Sequence, residues 1–194
     1  MLYQITQPSG IDYWVQLLQT DLHAHLLALY GISTTTYSCY GRIHRNWSDN
    51  GYMPQAYISP NEYKTIQFDD TKNLVSFFGV PDATVKNGVS TSNVHLVFFA
   101  NLTTLMGTNN YRLDEKFKND ITNFCNRKYG FSVIDWKTGV DKVLTEYSSS
   151  KKDALKWANM QPWYVFRCDM KIMYNANVDY RNSLATKGGI FKQP

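Results

Sequence analysis

Cysteine, charge and long apolar runs are all scarce in this chain of 194 residues, and each shortage closes off a class of protein. The three cysteines, Cys39, Cys125 and Cys168, are odd in number and widely spaced, so neither a disulfide framework nor a zinc site can be drawn through them. They are expected as free, mostly buried thiols in a reducing cytoplasm. Charged residues make up 19% of the chain against 43% hydrophobic, inside the globular range and outside the disordered one. The net charge of +4 permits a polyanion nearby without demanding one. No stretch approaches a transmembrane span, and the opening MLYQITQPSGID has neither the basic nor the apolar region of a signal peptide. Without secretion, the two glycosylation-like triplets at Asn46 and Asn101 are chance matches.

Catalytic signatures are also missing. There is no phosphate loop, dinucleotide fingerprint or nucleophile elbow. Of the four histidines, His23 and His25 are two residues apart on an expected helix and face differently, so they would not share a metal. His44 has no ligand spacing around it, and His95 reads as a core or edge histidine. Adjacent Asp69 and Asp70 fall between two expected strands, where acidic pairs usually form turns. A Cys39–His44 pair has nothing in sequence to orient it. No catalytic residue, cofactor or metal is therefore expected. An enzyme would have to reveal itself by a deep pocket holding a titratable group of shifted pKa.

Aromatic residues are abundant, at 15% with 14 tyrosines, which favours strands and large contact surfaces. The clearest pattern is Trp163–Tyr174, WYVFRCDMKIMY, which alternates with the period of a strand. Tyr164, Phe166, Cys168, Met170, Ile172 and Tyr174 would join a core, leaving Arg167, Asp169 and Lys171 on a wet face. Ile11–Tyr30 predicts a helix, with Ser9 and Asp12 as a capping box and Gly31 as the stop. Its stripe of Ile11, Trp14, Val15, Leu18, Leu22, Leu26 and Leu29 is widened by Leu17, Ala24, Leu27 and Ala28. That width fits either contact with a neighbouring subunit or deep burial in its own domain.

A β-rich middle follows. Thr34–Arg45 and Tyr52–Ile58 are expected to form a hairpin around Asn50-Gly51, with Pro54 marking an edge or bulge. Tyr63–Phe68 and Leu74–Phe78 would form a second pair, Pro81–Ser92 a polar connection, and Asn93–Leu105 a central strand. Leu113–Lys128 predicts a second amphipathic helix, from Leu113, Phe117, Ile121 and Phe124. Phe131–Trp136 reads as a short strand, Gly139–Tyr147 as a short helix capped around Thr138, and Asp153–Asn159 as one more turn. Residues 175–194 read as a polar C-terminal arm. The order implies one α+β domain over residues 1–174, a mostly antiparallel sheet with helices packed on one face. Basic residues Arg42, His44 and Arg45 share one strand, and Lys171, Arg181, Lys187 and Lys192 come late. They are either solvated surface or, with Tyr and Trp between them, a track for a nucleic-acid backbone.

Several phrases go further. ITQPSGID, YGRIHRNWSDNGYMPQAY, NEYKTIQFDD, VSFFGV, NVHLVFFANL and PWYVFRCDMKIMYN, in this order over Ile5–Asn175, resemble the tail-terminator and head–tail joining family of tailed bacteriophages. The likeness is greatest to tail-barrel ring proteins of crAss-like phages. The resemblance implies a non-enzymatic virion protein, assembled in the bacterial host cytoplasm as a closed homo-oligomeric ring of six or twelve copies in the neck or tail. Neighbouring portal, ring and tail proteins would be its partners, and phage DNA would pass through the channel without specific binding or a membrane contact. Under this reading Arg167, Asp169, Lys171, Arg42 and Arg45 would face the lumen or a subunit interface. Leu17, Ala24, Leu27 and Ala28 would form the helix face between subunits. Residues 132–161 would be an insertion and, with the arm, would reach adjacent rings. The alternative is a cytoplasmic nucleic-acid-binding module.

Overall fold

The computed structural model describes residues 1–48, 51–59, 62–66, 68–107, 112–147 and 162–175. The expected turn of helix at Asp153–Asn159, the second half of the 132–161 segment and the arm beyond residue 175 lie outside the described residues, as do Arg181, Lys187 and Lys192. Within them the chain is α+β, with an eight-stranded, mostly antiparallel sheet. The strands are β1 (Leu2–Tyr3), β2 (Tyr37–Ser48), β3 (Gly51–Ser59), β4 (Glu62–Thr65), β5 (Leu74–Lys86), β6 (Val89–Asn101), β7 (Phe131–Thr138) and β8 (Trp163–Asn175). They run in the order β4-β3-β2-β5-β6-β8-β7, with β1 added to β2.

Helix α1 spans Ile11–Tyr30, as its stripe requires, and stops where Gly31 takes up a left-handed conformation at φ 62°. Its start differs from the capping box read from sequence. Gly10 occupies the cap position, no side chain caps the helix, and the Asp12 N–H donates to the Ser9 carbonyl at 3.1 Å. Helix α3, Leu113–Cys125, buries Leu113, Phe117, Ile121 and Phe124. Helix α2, Leu102–Met106, replaces the end of the expected central strand. The Asn101 side chain accepts from Thr104 N–H at 3.0 Å and turns the chain.

Two pairings depart from expectation for the same reason, that local pattern does not choose a partner. Strand β4 pairs back on β3, while β5 pairs parallel with β2 and antiparallel with β6. Asp69 shapes the link between them by accepting from the Thr71 N–H at 3.0 Å. Pro54 lies inside β3, opposite Arg45 and one residue beyond the β3–β4 ladder, so the missing N–H costs that ladder nothing. The polar stretch Pro81–Ser92 is strand, not connection. Strands β5 and β6 run on to Lys86 and Val89 and turn through Asn87 and Gly88, at φ 53° and 78°, the mirror-image turn that suits a hairpin's twist. The β2–β3 hairpin also closes, with Ser48 opposite Gly51, which places the glycine in the strand.

Alternation along β6 and β8 divides the sheet into two faces. Val94, Leu96, Phe98 and Ala100 of β6 join Phe166, Cys168, Met170 and Ile172 of β8 beneath α1, α2 and α3. Val97, Phe99, Trp163 and Val165 point the other way, into a second core with Tyr40, Ile43, Phe77 and the segment that follows β7. That segment contains α4, Val140–Val143, and continues through Leu144 to Tyr147. The helices therefore do not all share one face. Thr138 does not cap α4; Gly139 sits at the cap with φ 98°.

Candidate functional site

Strand β8 forms over the expected residues, and its even-numbered side chains enter the core beneath the long helices. Its other face is not uniformly wet. Arg167 is only 6% exposed, Asp169 is half-buried, and Lys171 alone of the three is open to solvent. A buried guanidinium needs partners, and the fold supplies three, from β6, from the segment after α4 and from β8 itself. Arg167 Nε donates to Asp169 Oδ1 at 2.5 Å, Nη1 to Glu146 Oε1 at 3.0 Å, and Nη2 to His95 Nε2 at 2.6 Å. Lys137 on β7 closes the other side of Asp169, Nζ to Oδ2 at 2.9 Å.

Register explains why these groups meet. His95 is opposite Asp169 on the β6–β8 ladder, and Lys137 is opposite Arg167 on the β7–β8 ladder. On the other side His95 faces Gly79 of β5, where an added Cβ would approach the Tyr147 Oη to 3.4 Å and His95 Cβ to 3.8 Å. Both are ordinary van der Waals distances, so the Tyr147 and His95 rings pack beside Gly79, and the 140–147 segment brings Glu146 to the imidazole.

The cluster fixes a tautomer. A guanidinium can only donate, so His95 Nε2 must be bare and the imidazole proton sits on Nδ1, 3.3 Å from Glu146 Oε1. Burial, and then the Arg167 charge, push His95 below its ordinary pKa, against the pull of Asp169 and Glu146. Burial pushes the Asp169 carboxyl up, but hydrogen bonds from Arg167 and Lys137 outweigh it and hold the group below the usual carboxylate range. Two carboxylates, two cations and a neutral imidazole saturate one another. The guanidinium stands where a bound cation would have to stand.

An open cleft of about 590 Å³ lies beside the cluster, lined by Asp135, Trp136, Lys137, Thr138, Lys142 and Thr145. The two cluster groups with shifted pKa, His95 and Asp169, do not line it. All three cysteines are free and buried. Burial raises the Cys39 thiol to about 11 and Cys125 to about 12, far from a nucleophile's range.

The basic residues expected on one surface are separated. Arg42 reaches back to α1, Nη1 to Asp12 Oδ1 at 3.2 Å, whereas Arg45 falls on the opposite face of β2. There its guanidinium lies 4.3 Å over the Tyr52 ring, next to Trp47, which is 65% exposed. Arg42 and Arg45 therefore form no continuous track. On α1, Ala24 and Ala28 are exposed and Leu17 half-buried, but Leu27 packs against the main core. Leu27 is half-buried, as Leu17 is. Other apolar exposure gathers where β5, β6 and β8 run past the second core, at Val85 (65%), Val89 (42%) and Met173 (60%).

Glu146 and Lys137 were not marked by sequence. Glu146 is 21 residues from Arg167, and His95 is 72, with no motif joining them. The only available signal was an arginine set among the apolar residues Val165, Phe166 and Cys168, which implies buried partners if the strand is covered on both sides. No family model, curated protein or solved structure matches the chain. No helix among the described residues is long and apolar enough to cross a membrane.

Proposed function

We propose that the chain is a non-enzymatic structural subunit of a tailed-phage virion, a ring of the neck or tail barrel between portal and tail hub. It would line the DNA channel and join adjacent rings. The observation that carries the reading is the three-stranded ribbon at the far ends of β5, β6 and β8, where Val89 and Met173 are exposed together on the face away from the long helices and Val85, paired with Ser90, is exposed on the other face. Large apolar side chains gathered on a projecting element mark a contact surface. A closed ring needs two different patches on each subunit, one for each neighbour. The outward side of α1, with Ala24 and Ala28, provides a second, distinct patch. The resemblance of its phrases to those of ring proteins is the other support for the reading.

Within this reading Lys171, rather than Arg167 or Asp169, is the charge of β8 free to face a lumen or a neighbour, because the other two are tied inside the fold. Mass photometry and electron microscopy on the purified protein, alone and with a portal, test the proposal. Closed rings of six or twelve copies are expected, and a chain that stays monomeric and joins no portal or tail ring overturns it.

The nucleic-acid-binding alternative has one observation in its favour, the exposed Trp47 beside the Arg45–Tyr52 stack. A base stacking there would quench tryptophan fluorescence, with an affinity falling steeply in salt. Titration with a single-stranded oligonucleotide at two salt concentrations decides it, since a flat response removes this reading.

A further inference from the structure

The segment from Gly139 to Tyr147 covers the sheet face opposite the long helices with little regular structure of its own. Its backbone is tied by Val143 N–H to Gly139 O at 2.9 Å and Leu144 N–H to Val140 O at 3.0 Å. Gly139 N–H to Val165 O, 3.1 Å, anchors its start on β8. Val140, Val143, Leu144 and Tyr147 enter the second core. Asp141 and Lys142 are exposed, so the segment's charged contact with the sheet is Glu146, gripped by Arg167 and facing His95.

We propose that this joint is an acid-sensitive latch: protonation of His95 breaks its contact with Arg167, loosens Glu146, and lets the 139–147 segment lift from the sheet. The geometry carries the argument. The Arg167 Nη2 to His95 Nε2 contact at 2.6 Å exists only while Nε2 has no proton. Adding one sets two donors and two positive charges against each other. Arg167 must withdraw, and the same guanidinium holds Glu146 at 3.0 Å. The groups that face His95 are Arg167 and Asp169 from β8, Glu146 and Tyr147 from the segment, and Lys137 from β7 through Asp169. From β5 only Gly79 faces it. At neutral pH the charges of Arg167 and Lys137 balance those of Glu146 and Asp169, and one proton on His95 leaves an excess positive charge in a half-buried site. The downward push on the His95 pKa agrees in direction. The latch does not depend on the ring assignment, and it is tested on the protein alone.

Hydrogen exchange read by mass spectrometry at pH 7.5 and 5.5, corrected for intrinsic rates, measures it. An open-state histidine titrates near pH 6.5, so the opening constant of residues 139–147 is expected to rise up to about tenfold over that interval. Amides of α3 serve as the reference and are expected to hold. His95→Gln is expected to abolish the rise, and Glu146→Gln to leave the segment poorly protected at both pH values. An equal rise in wild type and His95→Gln, or one shared by α3, overturns the latch. Should His95→Gln fail to fold, proton NMR on the wild type replaces it. Its His95 titration midpoint in the folded chain must then lie below the open-state value near 6.5 from which opening starts to rise, and a midpoint at or above that value overturns the proposal.

Discussion

From Leu96 to Ala100, β6 is buried on both faces; from Val89 to Asn93 the same strand is buried only at Ser90 and Ser92, on the helix side. Strand β8 changes in step, with Phe166 and Val165 enclosed on opposite faces and Met173 left bare at its far end. The backbone ladder does not change, since β6 and β8 stay paired from Asn101–Trp163 to Val89–Asn175. What changes is the cover. The 140–147 segment lies over one half of the strands and stops short of the other. The His95–Arg167 cluster sits at that border, where a charge is too deep to be hydrated freely and too near the edge to be excluded. Burial, not hydrogen bonding, therefore distinguishes the two halves, and the cluster marks where one becomes the other.

The comparison can be broken most forcefully in the enclosed half. Phe166 is fully buried and stacks on Phe117 at 5.2 Å, so Phe166→Ala is expected to cost about 3–5 kcal/mol in urea denaturation. A loss below 1 kcal/mol would mean the half is not packed as described. Arg167→Met leaves Glu146 and Asp169 without their shared cation and is expected to cost about 3 kcal/mol. The cost follows from burial, where the sequence led to an expected wet face for Arg167.

Acid should act on the same border more gently. Once unfolded, a histidine takes its proton near pH 6.5, whereas His95 in the folded chain takes it at lower pH. The unfolded chain then binds more protons as pH falls below about 6.5, and stability is lost from there downward. Burial lowers the pKa of His23 too, so that residue contributes with the same sign. Asp169, also lowered, adds its loss only below about pH 4. Urea midpoints at pH 7.5, 6.5 and 5.5 are expected to fall less in His95→Gln than in wild type.

In the open half the effects shrink. Gly88→Ala forces a side chain into a left-handed turn and is expected to cost about 1–2 kcal/mol, seen first as faster exchange of the β5–β6 amides. Lys171→Glu and Met173→Ser are expected to change stability by less than about 0.5 kcal/mol. If either unfolds the monomer, the far half is not free. If both leave it stable but prevent ring closure, the contrast between the halves gains a functional meaning.

Much of this contrast was legible in sequence wherever a local pattern decides the outcome. Helix α1 has the bounds its stripe and Gly31 predict, and β8 has the face its alternation predicts. The polar strand ends from Pro81 to Ser92 were not legible, because a bare ribbon lacks the apolar signal by which strands are recognised. Nor was the parallel β2–β5 pairing, a choice of partner made across the fold. Of the expected contact residues, Lys171, Ala24 and Ala28 are exposed, Leu17 and Leu27 are half-buried, and Arg167 is buried because it finds partners distant in sequence. The charge cluster was least visible, since its members come from β6, β7, β8 and the segment after α4, and meet only through register.

The unbroken passage of β5, β6 and β8 between the two halves has a mechanical consequence. Each strand is 13 residues long, about 40 Å at the rise of an extended chain. Clamped on both faces at one end, and at the other with β6 and β8 covered on only one face and β5 on neither, the three behave as a cantilever. Load on the tip near Met173 is carried as torque to the root, and the bonds nearest the fulcrum are those that Arg167 makes to Glu146 and His95.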